Sequence, residues 1–227
     1  GAGGTHESVL FTSALSANAE PVQLTLRGAD ARVAQWRFVP DTDSILLLSF
    51  DGTLLLSDAE GASATTLGSA LRIDGIAGTT AIVERVQGVD VVDLTDGSAV
   101  PLAGMDGEGM VGVIVPAPGG GTVRTLAQFD AEGLPVGVRA VFVTDDGDET
   151  TLLDIPPGDA VLQLCVSPNG RYAAVAVVPD AVSNPYGPSY ELPLPARVET
   201  HIVEIADASP VVALTGAAVS WCRVPVS

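Results

Sequence analysis

Residues 44–57 read SILLLSFDGTLLLS, two short apolar runs separated by Asp51-Gly52. The Asp-Gly dipeptide is a strong hairpin signal, because a type I′ turn needs a positive φ at both of its central positions. The stretch therefore predicts a strand, a tight turn and a second strand. The same signal recurs at Asp96-Gly97, Asp146-Gly147 and Asn169-Gly170. Because we find no convincing amphipathic period of 3.6 residues, the sequence predicts an all-β fold.

Five segments of the chain share one shape, an apolar strand, then a proline or small-residue turn, then another apolar strand. Their turn residues lie near positions 40, 77, 116, 168 and 225, and further strands are predicted after them. A period of about 40 residues with four strands per unit is typical of β-propeller blades. The sequence predicts a five-bladed β-propeller over residues 8–227, with residues 1–7 as a linker or expression remnant. We expect a C-terminal strand at Trp221–Val224 to close the last blade by pairing with N-terminal strands at Ser8–Leu15 and Pro21–Leu26.

Two of the predicted blades carry a family resemblance. The segment CVSPNGRYAAVAV (Cys165–Val177) resembles the W-S-P-D-G-x-x-I-A-F start of TolB-type, WD40-like propeller repeats, and His201–Ala206 resembles the strand that follows it. The segment RFVPD (Arg37–Asp41) fits the same pattern, whereas the Trp-Asp dipeptide of true WD40 repeats is absent. The resemblance implies the fold far more strongly than any function.

The composition of the chain limits the kinds of partner that we expect it to bind. The 227 residues contain 28 acidic residues against ten basic ones, all of them arginine, which gives a formal charge of −18. Hydrophobic residues make up 47% of the chain, too many for a disordered acidic segment. The negative charge argues against binding to nucleic acid, whose phosphates need cations, and against docking on anionic membranes.

The two cysteines are predicted to form a disulfide. Cys165 and Cys222 each lie three residues before a turn proline, which places them at equivalent points of neighbouring inner strands. A disulfide needs Cα atoms roughly 4.4–6.8 Å apart, a separation that adjacent inner strands offer. The alternative is a pair of buried thiols in a cytosolic protein. A disulfide would place the protein outside the cytoplasm, secreted or anchored to the cell envelope by a segment before Gly1.

Motifs for catalysis are not found. There is no Gly-x-Ser-x-Gly elbow and no phosphate-binding loop. A catalytic triad would have to use His201, which we interpret as a structural strand residue, and the scattered His and Cys residues do not supply a zinc site. We therefore predict no catalytic residue and no cofactor. One acidic cluster could offer oxygen ligands to Ca²⁺, although we favour a solvated hairpin turn; it consists of Asp145, Asp146, Asp148 and Glu149.

The Pro179–Pro195 segment is the strongest candidate for a binding loop, because it carries Tyr186 and Tyr190 among several prolines. Long loops on a rigid scaffold commonly bind partners, and tyrosine is enriched at interfaces. The alternative is a loop that only packs over a blade edge. We predict a monomeric, non-enzymatic module that binds a protein or peptide. A carbohydrate-binding or glycosidase-like propeller is the alternative function, and the interpretation of Trp36 and Trp221 as core residues argues against it.

Overall fold

A computed structural model describes residues 10–13, 18–24, 32–59, 61, 63–105, 109–181, 197–216 and 219–223. These residues form β-strands and one 3₁₀ helix, so the all-β prediction is confirmed. No helix among them is long and apolar enough to cross a membrane. The chain divides into two compact units, residues 1–101 and 102–227. The prediction of a single domain over 8–227 stays a prediction.

The first unit contains one small sheet and two four-stranded antiparallel sheets. The small sheet pairs β1 (Phe11–Thr12) with β2 (Val22–Gln23). The next sheet consists of β3 (Val33–Phe38), β4 (Ser44–Ser49), β5 (Thr53–Asp58) and β6 (Ala64–Ser69). The last sheet consists of β7 (Arg72–Ala77), β8 (Thr80–Arg85), β9 (Gly88–Asp93) and β10 (Ala99–Pro101). Buried Leu, Ile and Val side chains from both larger sheets form the main core of this unit.

The second unit contains two more four-stranded antiparallel sheets. The first consists of β11 (Met110–Pro116), β12 (Thr122–Phe129), β13 (Pro135–Val143) and β14 (Glu149–Ile155). The second consists of β15 (Ala160–Val166), β16 (Tyr172–Val178), β17 (Glu199–Glu204) and β18 (Pro210–Thr215). A core of buried aliphatic side chains joins the two sheets. The 3₁₀ helix, Ser220–Arg223, packs beside β15.

Each four-stranded sheet is a meander whose strands pair in chain order, the unit from which propeller blades are built. Four of the five predicted turn positions lie at or just after the end of a sheet's first strand, namely Pro40, Ala77, Pro116 and Pro168. The fifth, position 225, lies outside the described residues. Within each unit the first strands of its two four-stranded sheets pack beside each other, β3 beside β7 and β11 beside β15.

The predicted hairpin turns are present, but their type differs from the prediction. Gly52, Gly97, Gly147 and Gly170 all have positive φ, whereas the Asp or Asn before each of them does not. Gly52 is the last residue of its turn and not a central one, since its N–H donates to the Ser49 carbonyl at 3.0 Å. At three of them the Asp or Asn side chain accepts a backbone N–H two residues onward, as Asp51 does from Thr53 at 2.9 Å. These residues therefore fix the turns as side-chain acceptors.

The predicted closing strand is wrong in its local structure. Residues 221–223 of the predicted strand Trp221–Val224 lie in the 3₁₀ helix, in which Cys222 N–H donates to the Val219 carbonyl at 3.1 Å. A largely apolar run of four residues does not distinguish a short helical turn from a strand. In the two predicted N-terminal strands, the described residues form only the two-residue strands β1 and β2.

Candidate functional site

The second unit contains a cleft of about 330 Å³ at one end of its sheets. Its walls are Gly137 and Val138 of β13, the connection 156–160 between β14 and β15, and Ala181 just after β16. The sequence dictates the shape of this connection. Pro156 and Pro157 have no N–H to continue a ladder, and Gly158 adopts a φ of +96°, which glycine accepts without steric cost. The cleft wall is thus rigid backbone with small side chains.

One carboxylate lies among these apolar walls. The Oδ1 atom of Asp159 accepts the backbone N–H of Asp180 at 2.8 Å, which ties the β14–β15 connection to the end of β16. At about 330 Å³ the cleft has the size of the smaller ligand pockets, which range over roughly 300–1,000 Å³. It can hold an apolar or basic side chain of a partner.

Exposed apolar side chains lie on the hairpin that leads into the cleft. Phe129 ends β12 and is paired in register with Pro135, while Leu134 and Val136 stand on either side of that proline. All three of Phe129, Leu134 and Val136 are exposed. Val136 directly precedes Gly137, so this exposed apolar segment ends at the cleft wall.

The predicted binding loop has only its first residues, 179–181, within the described part of the chain. Tyr186 and Tyr190 lie outside the described residues. Ala181, which lines the cleft, is the last described residue before that segment. The cleft therefore lies where the predicted loop leaves the sheet.

The acidic turn has separate partners for its side chains. Asp145 accepts the Gly121 N–H at 2.8 Å, and a Glu149 oxygen lies 3.0 Å from the Arg139 guanidinium. The N–H of Asp148 is bonded to the Thr144 hydroxyl at 3.1 Å. The structure describes all four acids of the turn, and among the residues it describes no three His, Cys, Asp or Glu side chains could hold a metal ion together. The contacts are those of a hairpin turn.

The predicted disulfide between Cys165 and Cys222 is confirmed, with Cα atoms 5.3 Å apart. Cys165 lies on β15 as expected, whereas Cys222 lies in the 3₁₀ helix and not on a neighbouring strand. The side-chain bond holds this helix against β15 without a backbone ladder. A disulfide is typical of proteins that fold in an oxidising compartment.

Sequence reasoning missed the role of Arg124, which is only 1% exposed in the middle of β12. Its guanidinium donates to the carbonyls of Ala103 at 2.7 Å and Gly104 at 3.1 Å, and its Nε donates to the Thr122 hydroxyl at 2.6 Å. Burial lowers the pKa of Arg124, and the negative charge of Glu149 opposes that shift. In the sequence, the sign of this buried position was a single arginine within the apolar pattern of β12. Arg124 fixes the segment before β11.

A buried carboxyl on β7 was also missed. Asp74 lies at a register shift of β7, its side chain is only 6% exposed, and its Oδ1 accepts the Arg72 Nε at 2.7 Å. Burial raises the pKa of Asp74, and the hydrogen bond from Arg72 partly offsets that effect. His201 lies on β17 as predicted, 3.7 Å from Glu199.

The interpretation of Trp36 as a core residue is wrong. Trp36 and Phe38 are 43% and 49% exposed, and their rings meet edge to face with centroids 5.4 Å apart. In register they oppose Leu47 and Ile45, which places them on the sheet face that packs against the β1–β2 region. Because the two strands there are only two residues long, they leave the aromatic pair exposed. Trp221 is half-buried.

No family model matches the chain, and no curated protein matches it in sequence. Among solved structures, it is similar to regucalcin from Agrobacterium tumefaciens strain C58, described as a calcium-binding protein, with a TM-score of 0.44 and 12% sequence identity. The alignment covers 79% of this chain and 57% of that chain, so the chain spans just over half of its length.

Proposed function

We propose that the chain is a non-enzymatic, extracytoplasmic β-propeller that binds a protein or peptide partner. The apolar cleft beside residue 181 carries this proposal, because it is a preformed concave site at the start of the Pro- and Tyr-rich segment. Closure of the sheets into a five-bladed ring is part of the proposal. So is placement outside the cytoplasm, which the disulfide supports because such bonds persist in oxidising compartments.

The mechanism we infer is rigid display. The cleft walls belong to strands and to a proline-containing connection, so little conformational entropy is lost when a partner side chain enters. The carboxylate of Asp159 adds a negative charge at the rim, and the net charge of −18 attracts basic partners over longer distances. We therefore expect an apolar or basic anchor residue from the partner in the cleft, with Phe129, Leu134 and Val136 covered around it.

The test is an Ala160→Trp variant, in which the new indole fills the cleft from the first residue of β15. The matched control is Ala64→Trp, at the exposed first residue of β6. Proteins captured from the periplasmic or extracellular fraction are compared quantitatively between the wild type and both variants. We expect Ala160→Trp and the double variant Tyr186→Ala/Tyr190→Ala to lose the same partner, while Ala64→Trp retains it. Retention of every partner by all variants would contradict the proposal.

A second candidate is carbohydrate binding at Trp36 and Phe38, the alternative function named from the sequence. The exposed aromatic pair favours it, because aromatic faces commonly stack on sugar rings. Intrinsic tryptophan fluorescence during titration with oligosaccharides tests it, with Trp36→Ala as the variant and Trp221→Ala as the control. A saturable change that disappears only in Trp36→Ala would favour this candidate over a protein partner.

A further inference from the structure

The outer strand β18 has an unusual surface for the edge of a sheet. It pairs with β17 on one side, and within the described part of the chain no strand pairs with its other side. All six of its residues are exposed. Val211, Val212 and Leu214 are 53%, 41% and 51% exposed, and the strand contains no charged residue. An edge of this kind presents free N–H and C=O groups for an additional strand.

Two of the other three outer strands carry features that discourage pairing. Strand β14 has the charged residues Glu149 and Asp154, and β10 is three residues long and ends at Pro101. Strand β6 exposes small and polar side chains and buries its one large apolar residue, Leu67. Charges, proline and short length are the usual means of blocking edge-to-edge association. Strand β18 starts with Pro210 and has a register shift at Val211, but it carries neither a charge nor a proline from Val212 to Thr215.

The register of β17 and β18 defines two different faces beside this edge. On one face Glu199 opposes Thr215 and His201 opposes Ala213, so short side chains on β18 lie next to an acid. The Glu199 side chain is 56% exposed, whereas Glu204 is already paired with Arg171 at 2.8 Å. On the other face Val212 and Leu214 lie beside Ile202 and Thr200. One face thus suits long basic side chains, and the other suits apolar ones.

Distances agree with this arrangement. Adjacent strands lie about 4.8 Å apart, so an added strand would lie roughly 10 Å from β17, within the combined reach of a Lys or Arg and the Glu199 side chain. The stem of the basic residue would pass over Ala213 or Thr215, which are short. The total charge of −18 would draw a cationic chain toward the molecule.

We propose that an extended cationic peptide, alternating Lys or Arg with Val, Ile or Leu, adds to β18 as a fifth strand of its sheet. Backbone hydrogen bonds supply the affinity, and the two faces supply the alternation that the peptide must match. The proposal goes beyond the proposed function, because it adds a second site and names the chemistry of the segment that binds there. It uses none of the residues that line the cleft, so the two sites fail or succeed separately.

The test uses a fluorescein-labelled peptide of five Lys-Val repeats, with binding followed by anisotropy. We expect saturable binding that is weakened at least tenfold by Leu214→Lys and several-fold by Glu199→Gln. The matched control, Thr150→Lys, adds the same charge to the exposed edge of β14 and should change the affinity less than twofold. Ala160→Trp, which fills the cleft, should leave peptide affinity unchanged.

Hydrogen–deuterium exchange then locates the peptide. Strand addition predicts slower amide exchange within residues 210–215 on binding and no change within 149–155. Equal weakening by Thr150→Lys and Leu214→Lys would overturn the proposal, because the binding would then be unspecific attraction to an acidic surface. Dimerisation of the free chain through β18, seen by analytical ultracentrifugation and abolished by Leu214→Lys, would overturn it in favour of a second copy. If Ala160→Trp loses the natural partner and Leu214→Lys retains it, the proposed function of the cleft stands and strand addition at β18 is overturned.

Discussion

The two sheets of residues 102–227 share one core but differ in how they are fixed and in what their outer strands present. The β11–β14 sheet contains the buried guanidinium of Arg124, and its outer strand β14 is charged. The β15–β18 sheet is fixed by a disulfide, and its outer strand β18 is apolar. The same four-stranded unit can therefore carry either a blocked edge or an open one. We therefore propose strand addition at β18 and not at β14.

The largest effect is expected from the disulfide. A Cys165→Ala/Cys222→Ala variant releases a loop of 57 residues, and loop-closure entropy predicts a loss of about 4 kcal/mol in the free energy of unfolding. Urea denaturation of the variant and of the oxidised wild type measures it. Reduction of the wild type should reproduce the variant, and equal midpoints in all three samples would contradict the assignment of the disulfide as the main restraint on this sheet.

The next effect is expected from Arg124. In an Arg124→Met variant the carbonyls of Ala103 and Gly104 lose their donor, and the loss of a hydrogen bond to a charged group costs about 1.5–3 kcal/mol. We expect a loss of roughly 2–3 kcal/mol in the free energy of unfolding. The control is Arg171→Met, whose exposed ion pair with Glu204 should contribute less than about 1 kcal/mol. Comparable losses in both variants would show that burial of Arg124 has no special role.

The smallest effect concerns stability in acid. It distinguishes the last turn of the β15–β18 sheet from the last turn of the β11–β14 sheet. Hydrogen bonds from the Ser209 side chain and backbone N–H hold the pKa of Asp207 below its ordinary value of 3.8. Since the folded state favours the ionised form, this stabilisation is present above pH 3.8 and is lost as the pH falls through the lower pKa of the folded state. The β13–β14 turn instead uses the Thr144 hydroxyl as its acceptor.

An Asp207→Asn variant should therefore be less stable than the wild type at pH 6, and the difference should be smaller at pH 2. Urea midpoints at the two pH values test this, with Asp146→Asn in the β13–β14 turn as the control. A difference that is the same at both pH values would contradict a titration effect.

The sequence predicted the regular parts of the molecule well because local rules govern them. Gly52 and its counterparts mark turns since only glycine accepts positive φ without cost, and the apolar alternation between turns predicts strands. The disulfide was predicted because Cys165 and Cys222 lie at the same position in two of the repeats. These predictions depend on spacing along the chain, which a single sequence records directly.

The sequence did not predict three features, because each depends on the residues that surround a side chain or strand in space. The local pattern of the sequence does not record those neighbours. Arg124 is buried because carbonyls from a distant segment accept hydrogen bonds from its guanidinium. Trp36 is exposed because the strands that cover its sheet face are very short. The openness of β18 depends on the register that places Ala213 beside His201 and leaves both faces accessible. The candidate cleft likewise brings residues 137–138, 156–160 and 181 together through tertiary packing.

The most direct test of a protein-binding role is site-specific photo-crosslinking, because a chain without lysine offers no side-chain amine to common amine crosslinkers. The photoreactive residue p-benzoylphenylalanine is introduced at Ala160 in the cleft, at Leu214 on β18 or at Thr150 on β14, and the protein is irradiated in the oxidising compartment. We predict covalent adducts with another protein at positions 160 and 214 and none at 150. No adduct at either 160 or 214, or equal adducts at all three positions, would contradict the proposal.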